Sequence, residues 1–212
     1  MTTEEEHTRK LLCYMDDICA EELDNISLMK FFQLLIGAHW ENPNNHGKYS
    51  DSLGCLSTVV GHVSAMRVTS SIDANPKDIN SAPQIMVRLG ETKFIKTHID
   101  DKVGESDDGN VEHKVWTANT MLRITHTFET PAQAQLAAAS NLEFITAISG
   151  EIKKVLNLIH IQPVMMSDFK KEKNGGSDNF NVDLVFDISY NYYVSVNLET
   201  HRIKVIASNI SI

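Results

Sequence analysis

The sequence predicts an α+β fold: an antiparallel or mixed sheet with a long helix packed across it, plus a helical N-terminal region. Three observations predict this. The stretch from Phe180 alternates strictly between apolar and polar residues. A second alternating stretch, ending at Phe128, runs straight into a helix start at Thr130-Pro131. The first forty residues place their apolar side chains at helical spacing.

A chain of 212 residues can bury a sizeable core, and 42% apolar with 22% charged residues is the balance of an ordinary globular protein. The net charge of −9, with Lys and Arg scattered and the densest charged run acidic ("DDKVGESDD", 100 to 108), argues against a phosphate-gripping surface. No run approaches the ~18 uncharged apolar residues of a membrane span. The opening "MTTEEEHTRK" lacks the apolar core expected of a secretory signal. Cys13, Cys19 and Cys55 form no even framework and no CxxC, as expected of free thiols in a reducing compartment.

Residues 4 to 23 carry Leu11, Leu12, Met15, Ile18 and Leu23 near the i, i+3, i+4 spacing of an amphipathic helix, with acidic residues crowding its first turn. "NISLMKFFQLLIGAHW" restarts at a cap, Asn25 or Ser27, and runs helical to Gly37. It is apolar on most of its circumference, which requires burial by its own domain or by a neighbouring subunit. Residues 41 to 52 are a loop by composition, and 53 to 71 read equally as a glycine-interrupted helix or a strand. "QIMVRLGETKFIKTHI" gives one or two strands around a turn near Gly90-Glu91, and 100 to 110 reads as an exposed connection.

"VWTANTMLRITHTF" alternates over Trp116, Ala118, Thr120, Leu122, Ile124, His126 and Phe128 and is a long half-buried strand. Thr130 is then an N-cap, Pro131 sits at N1, and Gln133 at N3 completes a T-x-x-Q capping box. The helix that follows aligns Leu136, Ser140, Phe144, Ile148, Ile152, Val155 or Leu156, and Ile159 and is expected to stop before Pro163. Residues 167 to 179 read as a polar loop. Phe180 to Ile188 form a strand, a turn is expected around Tyr190-Asn191, and Val194 to Leu198 and Ile203 to Ala207 complete an antiparallel meander. The expected organisation is a helical N-terminal region or arm, 1 to 72, and an α+β core, 73 to 212.

Candidate chemistry is sparse. His98, His113 and His126, with Asp100 and Asp101, offer metal-ligand types from neighbouring predicted strands but lack a compact ligand spacing. The acidic run departs from the calcium-loop pattern. No G-x-S-x-G and no phosphate loop occur; Gly175-Gly176 lies among Lys170, Lys171 and Lys173 without the strand-loop-helix context. No catalytic, cofactor-binding or metal residue is therefore assigned, and no cofactor.

The order of elements resembles the tail-terminator and neck proteins of tailed bacteriophages. The resemblance covers roughly residues 83 to 212. "VWTANTMLRITHTFETPAQAQLAAASNLEFI" is similar to the strand that enters that family's second helix. "FNVDLVFDISY" (180 to 190) is similar to its R-x-x-F-D-L-x-F-like C-terminal strand, although the arginine is missing and Lys171 and Lys173 are the nearest basic residues. The resemblance implies a non-enzymatic virion protein, assembled in the host cytoplasm. It implies copies of the chain in a ring, six-fold in expectation, meeting tail tube, sheath or connector proteins. DNA would pass through a lumen without specific binding, and no membrane is involved. The apolar helix nominates Phe31, Phe32, Leu35 and Trp40 as subunit contacts, with Tyr192 and Tyr193 second. The rival expectations are an acidic peptide-binding chaperone or adaptor and a His/Asp metal-dependent enzyme built on His98, Asp100, His113 and His126.

Overall fold

The structure, a computed structural model, describes residues 23–41, 67–72, 82–96, 102–105, 110–174 and 177–197. The amphipathic pattern of residues 4 to 22, the 42 to 66 region and the strand expected over Ile203 to Ala207 lie outside the described residues, as do Cys13, Cys19, Cys55, His98, Asp100 and Asp101. What is described is a mixed α+β fold built on one eight-stranded sheet.

Helix α1 spans Asn25–Glu41. Its cap is Asp24, whose Oδ1 accepts from the Ser27 N–H at 2.6 Å, rather than Asn25 or Ser27. Asn25 is occupied elsewhere, accepting from the Tyr190 hydroxyl at 2.9 Å and exchanging hydrogen bonds with Thr92. The helix also continues past Gly37 to Glu41, because His39 and Trp40 are held by a second helix.

The strands are β1 (Arg67–Ser70), β2 (Gln84–Leu89), β3 (Lys93–Lys96), β4 (Lys102–Glu105) and β5 (Val111–Phe128), then β6 (Leu158–Met166), β7 (Lys170–Asn174) and β8 (Ser177–Asn197). Their order is β1-β2-β5-β8-β6, with β1 parallel to β2 and every other pairing antiparallel. β5 and β8 form the spine, paired without interruption from Val111↔Asn197 to Phe128↔Phe180. Because β8 occupies one edge of β5 throughout, β2, β3 and β4 share the other edge; β6 and β7 likewise share the far edge of β8.

Alternation along the spine decides the layers. Ala118, Leu122, Ile124 and Phe128 of β5 and Val182, Leu184, Phe186, Ile188 and Tyr190 of β8 point to one face and are buried. That face is covered by α1, against β1 and β2, and by α2 (Pro131–Ala147), against β5 and β8. The opposite face is mainly polar. There Thr125 donates to Asp183 at 2.7 Å, Arg123 lies 4.0 Å from the same carboxylate, and His160 meets Asp187 at 3.2 Å.

The corner between β5 and α2 forms as its residues dictate. Thr130 is extended (φ −128°, ψ 148°), its side chain accepts from the Gln133 N–H at 3.3 Å, and Pro131 opens the helix. The helix does not continue to Pro163. It ends at Ala147, α3 (Ser149–Val155) follows, and Asn157 turns the chain in the left-handed region (φ 49°) into β6. Pro163 therefore lies inside a strand, tolerated because β6 ends the sheet order among the described residues, where it needs no donor toward a further neighbour. The buried side of α2 runs through Gln133, Ala134, Ala137, Ala138, Ser140, Asn141 and Ile145. Ile152 of the expected stripe is also buried, in α3, whereas Leu136, Phe144 and Ile148 are only partly buried. Three alanines, Ala134, Ala137 and Ala138, are fully buried on that side.

Three further corrections concern strands. The turn expected at Tyr190-Asn191 is absent: β8 runs through both, with Tyr190 opposite Ala118 and Asn191 opposite Thr117. Residues 102 to 105 of the expected acidic connection form β4, and 170 to 174 of the expected polar loop form β7. The last four residues of the ambiguous 53 to 71 stretch that pair in the sheet, 67 to 70, are strand.

Candidate interaction surface

Phe31, Phe32, Leu35 and Trp40 are 2%, 0%, 6% and 3% exposed. They belong to one apolar cluster with Ile85, Val87, Leu122 and Ile188, so α1 spends them on its own sheet. Phe31 and Phe32 meet edge to face at 5.4 Å between ring centres. Tyr192 and Tyr193 are neighbours on β8 and point to opposite faces. Tyr192 joins Phe94 at 5.0 Å, which also meets Trp116 at 6.0 Å; Tyr193 is 41% exposed.

A polar relay ties the two helices to the sheet beneath them. The Trp40 indole N–H donates to Asn141 Oδ1 at 2.9 Å, and Asn141 Nδ2 donates to His126 Nε2 at 2.8 Å. With Nε2 accepting, Nδ1 carries the proton and donates to the Val182 carbonyl at 3.2 Å. Burial lowers the His126 pKa to about 4, against which the Val182 bond and the Asp183 charge act weakly. Beside it, His39 Nε2 lies 3.1 Å from Ser140 Oγ, and its ring stacks on Phe144 at 4.1 Å. A serine and a histidine within hydrogen-bond reach suggest a nucleophile and base, but both are buried and sit where two helices interlock. The group is a structural tie.

The metal expectation rested on His113 and His126 belonging to neighbouring strands. Both lie on β5, thirteen positions apart and on opposite faces, so roughly 40 Å of extended chain separates them. Among the described residues no three His, Cys, Asp or Glu side chains converge as a metal site.

What the described surface does offer is apolar area along β6. Ile159, Val164, Met165, Met166 and Phe169 are 51%, 54%, 48%, 45% and 47% exposed. Met165 pairs with Val185 and Met166 with Leu184, so beyond Pro163 both faces of the strand present apolar side chains at the sheet's edge. Phe169 rests edge-on against Phe180 at 5.9 Å, which seats the strip's far end on the sheet. Methionines and aromatics at an exposed position are the side chains enriched in protein contacts. Sequence reasoning missed the strip by assigning its start to a helix and ignoring its end. The signal was available in "PVMM", where a proline followed by three apolar residues without polar alternation fits an edge strand.

No helix of the described residues is long and apolar enough to cross a membrane. A scan against family models finds no match, and comparison with curated proteins finds no significant match.

Proposed function

We propose that this chain is a structural virion assembly protein, a subunit of a ring that terminates a phage tail tube or joins tail to head. The observation that carries the assembly reading is the apolar strip of β6, which a solitary protomer would leave in water at an energetic cost. The phage assignment rests on the resemblance over residues 83 to 212, to which the strand-to-helix corner at Thr130 and the "FNVDLVFDISY" strand contribute. An uninterrupted two-strand spine also suits a protomer that transmits load, since its ladder runs the full length of β5. The reading assigns no catalytic residue. Its ring is homo-oligomeric, six-fold in expectation, with tail tube, sheath or connector proteins as further partners.

The test is light scattering of the purified chain together with negative-stain imaging, alone and mixed with tail tubes. A closed particle near six times the 23.8 kDa protomer mass is expected. A monomer under both conditions removes the proposal.

The alternative, an acidic peptide-binding adaptor, draws on the same strip, because an edge strand can accept an added strand. Pro163 and the register shifts at Leu158/His160 and Pro163/Met165 interrupt the ladder such a peptide needs, which favours side-chain packing over strand addition. Saturable peptide binding by a protein that stays monomeric would reverse the preference.

A further inference from the structure

The chemistry of its two ends fixes the direction of every proton in the Trp40–Asn141–His126 relay. An indole N–H only donates, and a backbone carbonyl only accepts. Trp40 therefore takes Asn141 Oδ1, which leaves the Asn141 Nδ2 protons for His126 Nε2. The Val182 carbonyl takes the proton on His126 Nδ1. The relay is complete with a neutral His126 and with no other form of that ring.

A second proton on His126 sits on Nε2 and faces the Asn141 NH2, donor against donor. A half-turn of the amide offers Oδ1 to the imidazolium, but it also turns the NH2 onto the Trp40 indole. Trp40 and His126 meet opposite ends of the amide, so its single oxygen faces one of them at a time. We propose that protonation of His126 is coupled, through this rotation, to release of Trp40 and the last turn of α1 from α2. Trp40 is the penultimate residue of α1, whereas Phe31, Phe32 and Leu35 remain in the core cluster, so the release is confined to the helix end. The surroundings give the new charge little else to meet. Ile85 of β2 and Val182 of β8 stand opposite His126, and Asp183 lies one position along β8, on the other face. From α2 come Asn141 and Ser140, and from α1 His39, whose Nε2 is 3.1 Å from Ser140 Oγ. Lys30 of α1 and Glu143 of α2 are exposed. Burial holds the His126 pKa at about 4, so the device works at the acid end of the pH range.

Trp40 supplies the readout. In the full-length chain Trp116→Phe leaves Trp40 as the only tryptophan, and this variant serves as the parent. Its emission, the His126 ring-proton shift by NMR and the far-UV circular dichroism are followed together as pH falls from 7.5. The expected result is a red shift of Trp40 emission with the same midpoint as His126, near pH 4, before the circular dichroism changes. In His126→Gln, whose Oε1 accepts from Asn141 at every pH, the shift should vanish. In Asn141→Asp the carboxylate accepts from indole and imidazolium together. Trp40 should then stay in place on acidification, and His126 should hold its proton about tenfold more tightly or better. Emission that changes only together with the circular dichroism, or equally in His126→Gln, overturns the coupling. So does a Trp40 response in Asn141→Asp as large as in the parent. If Asn141→Asp does not fold, the comparison with His126→Gln decides alone.

Discussion

Asn141 and His126 are where a single atom matters most. The Asn141 amide serves Trp40 with its oxygen and His126 with its nitrogen, so no rotation of that amide serves both any better. Asn141→Leu strands two buried polar groups, and a loss of about 2–4 kcal/mol is expected from denaturant unfolding. The His126 proton adds a pH dependence of definite sign. Its folded pKa, about 4, lies below the unfolded value of 6.5, so the unfolded chain takes up the proton first as pH falls. Stability from this group is complete above pH 6.5 and is lost as pH drops toward 4, by roughly 3 kcal/mol in all. Unfolding midpoints measured from pH 7.5 to 4.5 should therefore slope more steeply in the wild type than in His126→Gln; equal slopes would show that His126 does not titrate this way. Neither partner was legible in the sequence. His126 fell on the buried side of an alternating strand, but that Asn141 would meet it depends on how α2 lies over β5.

Among the elements, the β5–α2 corner was readable because its code is local: a threonine cap, a proline with no N–H to lose, and a glutamine three residues on. Thr130→Ala is expected to cost about 1 kcal/mol, read as a lowered unfolding midpoint. β8 was misread for an instructive reason. Phe180, Val182, Leu184, Phe186, Ile188, Tyr190 and Tyr192 keep an unbroken two-residue period, yet Tyr190-Asn191 reads as turn chemistry in isolation. What holds that segment extended is its partner strand, through Ala118 and Thr117, and the Tyr190 hydroxyl bonded to Asn25. Burial first, then the nearby Tyr192 and Asp24, raises the Tyr190 pKa to about 12 and keeps that hydroxyl a donor. Hydrogen exchange checks the continuity directly. Amides of residues 189 to 193 that face β5 should be protected as strongly as those of 182 to 188, whereas a turn would exchange quickly.

At the scale of the whole molecule, the buried core and the exposed apolar strip separate cleanly. Phe32 is fully buried and Val164 is half exposed. Phe32→Ala should lower stability by about 3–5 kcal/mol. Val164→Asp should leave the melting temperature of the protomer nearly unchanged, and on the proposed ring reading it should also reduce the mass seen by light scattering. If Phe32→Ala left protomer stability unchanged, the placement of α1 against its own sheet would be wrong. By itself the sequence determined which residues share a face: the even positions of β5 and β8, the apolar girth of α1, the corner at Thr130. Those follow from the two-residue and 3.6-residue periods, which are properties of the local backbone. Only the tertiary structure decided what covers each face. It turned Phe31, Phe32, Leu35 and Trp40 inward, made Leu158–Met166 an edge strand whose start, before Pro163, was expected to be helix, and left Ile159 and Val164 to solvent. A short apolar run satisfies either period, and the choice is made by partners distant in sequence, whose burial and ladder hydrogen bonds outweigh local preference.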